Sequence, residues 1–77
     1  MLEQETSDLR GVPCPINAAR ALLALEMTSA DQMIILLDDG EPVTNVKESL
    51  NVAEYRLLEE IQEADTTWKL TVQVARA

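Results

Sequence analysis

Seventy-seven residues carrying 14 acidic and six basic side chains, no histidine and a formal net charge of −8 at pH 7 make a single domain over 1–77, with a modest core because a chain this short hides only roughly 60% of its unfolded surface. A hydrophobic content of 47% argues against disorder, no apolar run approaches the roughly 20 residues of a membrane span, and the negative charge opposes phosphate backbones, so a basic protein partner fits better than direct nucleic-acid binding. One cysteine without histidine excludes an internal disulfide and a structural zinc site; no metal or cofactor is expected, and with no charged-then-apolar leader the expected location is cytoplasmic.

Residues 1–5, MLEQE, read as a flexible tail, and Thr6 to Leu9 as a short strand. RGVP follows as a turn, because Gly11 and Pro13 both interrupt regular structure. Pro15 to Met27 is rich in Ala and Leu, lacks glycine and predicts a helix. Spacing its residues by 100° puts Ala18, Leu22 and Leu25 on one flank and Ile16, Leu23 and Met27 on another, with Asn17 and Arg20 between them. The first flank packs on a sheet, while the second meets another helix or stays partly exposed.

The apolar run Met33 to Leu37 predicts a buried strand. DDGEP is a loop; Asp38 to Glu41 lacks the spaced oxygen ligands of a calcium loop and reads as a solvated turn. Pro42 opens a second helix through about Leu50, with Val43, Val46 and Leu50 on one side. Tyr55 to Gln62 has helix and strand formers alike, but Trp68, Leu70, Val72 and Val74 alternate with polar residues at the period of a half-buried strand. Taking EADTT as a hairpin turn makes Tyr55 to Gln62 the preceding strand. The carboxylates Glu59, Glu60, Glu63 and Asp65 then line its exposed side, or else a docking surface for a basic partner. The order β-α-β-α-β-β gives an α+β two-layer sandwich, a four-stranded mixed sheet with two helices on one face.

The chemistry concentrates in DLRGVPCPIN, Asp8 to Asn17, where the sole cysteine stands between Pro13 and Pro15. A residue before proline is pushed out of the α region, and Pro15 suits a first helical position, so Cys14 is expected at the helix N-cap. Caps normally present an oxygen to the unpaired first-turn amides; a neutral thiol does this poorly and a thiolate well. The helix dipole and those amides favour the thiolate, and Arg10 adds to this. The plainer alternative is that Cys14 is a small buried hydrophobe.

DLRGVPCP, an Ala/Leu-rich helix and an apolar strand ending in DD together resemble the TusA family of sulfur carriers, over about residues 6–76. That family carries Cys-Pro-x-Pro at the start of its first helix; here the residues are Cys14, Pro15, Ile16 and Asn17. The resemblance implies the same β-α-β-α-β-β sandwich. It also implies that Cys14 accepts sulfur as a persulfide from a donor such as a cysteine desulfurase and relays it to an acceptor protein. The final destination, whether a thiolated tRNA base, a molybdenum cofactor or sulfur-oxidation machinery, stays open. Asp8, Arg10 and Gly11 match the family's approach to the cysteine: Gly11 gives the turn its freedom, Asp8 pairs with Arg10 or is solvated, and Arg10 stabilises an anion or a partner's carboxylate. Asn17 keeps an N–H that proline lacks, and its side chain can turn back toward the cap. Ile16, Arg20 and Leu23, directly after the motif, are the expected partner-docking residues. A non-catalytic adaptor binding a sulfur-metabolism partner is the rival reading, and it differs in tolerating Cys14→Ser.

Overall fold

The computed structural model describes residues 3–74. Six elements follow in the order β1 (Gln4–Asp8), α1 (Ile16–Met27), β2 (Gln32–Leu37), α2 (Glu41–Val52), β3 (Arg56–Gln62) and β4 (Trp68–Gln73). The strands form one sheet in the order β1-β2-β4-β3. β1 runs parallel to β2, and β4 runs antiparallel to both β2 and β3. This is the α+β sandwich expected, and the parallel β1–β2 pair is made possible by α1, which carries the chain back across the sheet.

The apolar run of β2 divides by the strand period. Met33, Ile35 and Leu37 are buried while Ile34 and Leu36 are half-buried. Met33 pairs with Val72 and Ile35 with Leu70, which sets four buried side chains side by side beneath the helices. Ala21 and Leu25 of α1 and Val43, Val46 and Leu50 of α2 close over them in one core. Each fully buried Leu, Ile or Val there contributes about 1.5–3 kcal/mol. No helix among the described residues is long and apolar enough to cross a membrane.

Several boundaries differ from expectation. β1 begins at Gln4, so the tail expected over residues 1–5 is corrected at its C-terminal end, while Met1 and Leu2 lie outside the described residues. Gln4 and Glu5 pair with Gln32 and Met33, and the Glu3 carbonyl accepts the amides of Asp31 and Gln32. As an edge strand β1 keeps its polar side chains in water, which is why the stretch reads as a tail. α2 is longer than expected at both ends. Gly40, at φ 93°, caps its start, and Glu54, at φ 65°, turns the chain out of it, with the Tyr55 amide donating to the Leu50 carbonyl. β3 is an edge strand with a register shift between Leu57 and Glu59, and it buries little, so its periodicity is faint.

α1 also turns a different face inward. Asn17, Ala21 and Leu25, four residues apart, form its buried line, while Ala18 and Leu22 are half-buried on the side toward α2. The side holding Asn17, expected to lie between the flanks, is therefore the core side. Arg20 belongs instead with Ile16, Leu23 and Met27 on an exposed stripe. Between the helices lies a groove of about 420 Å³ lined by Pro15, Ala18, Leu22, Asn45, Ser49 and Val52, among others.

Candidate active site at the start of the first helix

The loop from Leu9 to Pro15 leaves the C-terminal end of β1 and is fastened at each step. The Leu9 amide donates to the Leu36 carbonyl at 2.9 Å, extending the parallel pairing, and the Val12 amide donates to the Leu9 carbonyl at 3.2 Å. Between them Gly11 sits at φ 79°, a left-handed conformation that costs other residues about 1–2 kcal/mol. Its amide donates to Asp38 Oδ2 at 2.7 Å. Asp38 follows β2 directly, so this bond ties the loop after β1 to the loop after β2.

Asp38 and Asp39 thus do more than the solvated turn expected of DDGE. Asp39 Oδ1 accepts the Trp68 indole N–H at 2.8 Å, anchoring the same loop to β4. Neither partner is near in sequence, 27 and 29 residues away, so only the pairing of the strands brings them together.

Asp8 and Arg10 form a two-pronged ion pair. Arg10 Nε donates to Asp8 Oδ1 at 2.9 Å and Nη2 to Oδ2 at 2.7 Å, and the Arg10 amide adds a third bond to Oδ1 at 3.1 Å. The guanidinium and amide bonds from Arg10 lower the Asp8 carboxyl from 3.8 to about 2. Arg10 in turn is held more firmly protonated, first by its hydrogen bonds to Asp8 and then by the charges of Asp8, Asp65 and Asp38. Arg10 borders a depression shared with Leu36 of β2 and with Glu63, Asp65 and Thr67 of the β3–β4 hairpin. The guanidinium of Arg10, expected to support the thiolate, makes its hydrogen bonds to Asp8.

Cys14 is half-buried between two exposed prolines, and the Cys14–Pro15 peptide bond is cis. The residue capping α1 is Pro15, whose φ of −91° and ψ of 9° lie outside the helix, so the expectation that Cys14 is the N-cap is corrected: Cys14 stands one position before it. The Asn17 amide donates to the Pro13 carbonyl at 3.0 Å and closes a turn around the cysteine. Asn17 itself is fully buried, with 0% exposure. Its Oδ1 accepts the Ala18 amide at 2.7 Å, and its Nδ2 lies 3.4 Å from Cys14 Sγ and 3.5 Å from the Pro42 carbonyl of α2. The side chain does turn back toward the helix start, and the group it meets there is the sulfur.

Beside the sulfur begins the exposed stripe of α1: Ile16 at 50% exposure, Arg20, Leu23 at 55% and Met27 at 76%. The structure therefore gathers Cys14, Pro13, Pro15 and Asn17 at one point, runs Ile16, Arg20 and Leu23 away from it, and sets Asp8, Arg10 and Gly11 in the supporting loop. Asp38 and Pro42 were missed by sequence reasoning. A carboxylate at the end of an apolar strand, opposite a glycine turn, is the signal that points to Asp38; nothing in the sequence marks a backbone carbonyl such as that of Pro42.

A family model described as sulfurtransferase TusA matches residues 5–74. The crystal structure of a SirA-like protein from Desulfitobacterium hafniense has the same fold, with a TM-score of 0.76 at 22% identity, covering 92% of this chain and 97% of that one. No curated protein matches the sequence.

Proposed function

Because the chain belongs to the TusA sulfurtransferase family, we propose that it is a sulfur carrier whose Cys14 holds the travelling sulfur as a persulfide. The observation that carries this reading is the placement of the chain's one cysteine. It is half-buried yet reachable, framed by Pro13 and Pro15 at the mouth of α1, and lies inside the span that the family covers.

The exchange needs no base and no outside oxidant. The Cys14 thiolate attacks the outer sulfur of a donor's cysteine persulfide; a new bond forms from Sγ to that sulfur, the donor's S–S bond breaks, and the donor cysteine leaves as a thiolate. Delivery repeats the step in reverse: an acceptor nucleophile takes the outer sulfur and Cys14 departs as a thiolate. With no second cysteine in the chain, the persulfide is not lost to an internal disulfide. A reducing compartment such as the cytoplasm keeps the thiol available for this exchange.

The donor is a cysteine desulfurase or another persulfide-bearing protein, and the acceptor is a downstream sulfur-accepting protein. Both reach the sulfur across the exposed stripe of Ile16, Arg20 and Leu23, which combines apolar contact with one cation on the same helix face. The test is transfer of radiolabelled sulfur from cysteine, through a desulfurase, onto this protein. The proposal expects label that is released by reductant in the native chain and none in Cys14→Ser; equal labelling of both would remove Cys14 from the reaction.

A further inference from the structure

Asn17 is the one fully buried polar side chain at the site, and its three contacts decide which way its amide faces. The Ala18 N–H is a donor and must meet an oxygen, which fixes Oδ1 at 2.7 Å from it. The Pro42 carbonyl is an acceptor and must meet the nitrogen, which fixes Nδ2. Exchanging oxygen and nitrogen would set donor against donor and acceptor against acceptor, so the orientation follows from two backbone groups and not from the sulfur. The sulfur is consequently faced by an N–H, 3.4 Å away. A neutral thiol is a weak acceptor for that proton, whereas an anionic sulfur is a strong one.

We infer that Asn17 is a positioning residue for sulfur transfer, a pre-set donor that holds the negative charge on Cys14 Sγ. The inference rests on the carrier reading above and assigns the step at which the residue acts. In the loaded protein Sγ is the inner sulfur and the charge sits on the outer one. Charge returns to Sγ when the outer sulfur is taken and Cys14 leaves. Asn17 therefore assists delivery more than loading, because stabilising an anion helps it as a leaving group while making it a weaker attacking nucleophile. Its contact with Pro42 also couples the sulfur to the start of α2, so the donor is held by both helices.

The test uses two small probes, so that no partner protein enters. Inorganic polysulfide loads Cys14, giving the persulfide and a polysulfide shorter by one sulfur. Cyanide unloads it: the cyanide carbon bonds the outer sulfur, the S–S bond breaks, and thiocyanate and the Cys14 thiolate form. Thiocyanate release is expected to slow about threefold in Asn17→Ala, the effect of one lost hydrogen bond carried through the leaving-group sensitivity of sulfur exchange. Asn17→Asp, of the same shape but bearing a carboxylate toward the sulfur, slows it further, with loading less affected than release in both.

A second measurement needs no variant. The Asn17 side-chain amide protons of the native protein, followed by nuclear magnetic resonance at a pH above the ordinary thiol value of about 8.5, where Sγ is an anion, should shift upfield when alkylation removes that charge. Release at the native rate in either folded variant, or amide protons that do not move on alkylation, overturns the inference. Because polysulfide and cyanide act without a protein donor, these outcomes stand apart from whether a desulfurase loads Cys14.

Discussion

Asp8 and Arg10 flank the site without entering it, and their pairing makes a prediction of its own. The Asp8 carboxyl is depressed to about 2, so the pair is complete above the ordinary carboxylate value of 3.8 and is lost as pH falls through 2. Titrating the carboxyl carbon by magnetic resonance should give a midpoint near 2 that returns toward 3.8 in Arg10→Met; an unchanged midpoint would assign the shift elsewhere. Both side chains are nearly half exposed, at 44% and 49%, so solvent screens the pair and its breakage should alter global stability little. Sequence reasoning found both residues and left open whether they pair. Residues two apart on an extended backbone share a side, which favours Arg10 reaching Asp8, but proximity to Cys14 in the sequence reads equally as support for the thiol. At Gly11 the prediction concerns the backbone. A Cβ there meets nothing within 4 Å, so Gly11→Ala should cost only the left-handed conformation, about 1 kcal/mol in urea unfolding, and Gly11→Asn less. Equal stability of all three would show that the turn relaxes to another conformation.

Helix α1 carries two opposed duties on opposite faces. Leu25, 1% exposed, packs in the core, and Leu25→Ala should cost about 2–5 kcal/mol. Leu23, 55% exposed, touches no core, so Leu23→Asp should change stability by no more than about 0.5 kcal/mol. The same change should slow sulfur exchange with a protein donor if the stripe is the docking surface, and normal exchange would exclude it. The extents of α1 and β2 were legible because their composition is unmixed and their ends are marked by Pro15 and by DDGEP. The inward face of α1 was not. Its buried line includes Asn17, a polar residue satisfied only by groups from its own turn and from α2, and a hydrophobicity pattern assigns such a residue to solvent. β3 was read less well for a different reason: it is an edge strand, irregular at Leu58, whose outward residues have no pattern to keep.

Across the whole molecule the order of elements was the most legible feature, since alternating periods of 2 and 3.6 leave few ways to cover one sheet with two helices. The contacts of Asp38, Asp39 and Pro42 were not legible, because each depends on which strands become neighbours. The charge of −8 acts at this scale too. The described residues hold two ion pairs, Asp8–Arg10 and Lys47–Glu60, so repulsion among the remaining carboxylates dominates. Raising salt from about 0.01 M to about 0.15 M shortens the screening length from about 30 Å to about 8 Å and should raise the Tm; a lower Tm would mean that the ion pairs outweigh the repulsion. The proposal that Cys14 is a persulfide carrier is tested most directly by the intact mass of the protein after incubation with a cysteine desulfurase and free cysteine, with Cys14→Ser alongside. The account predicts a gain of one sulfur atom, reversed by reductant, on the native chain alone. No gain from any of several sulfur donors would contradict it and leave Pro13 and Pro15 framing a binding loop.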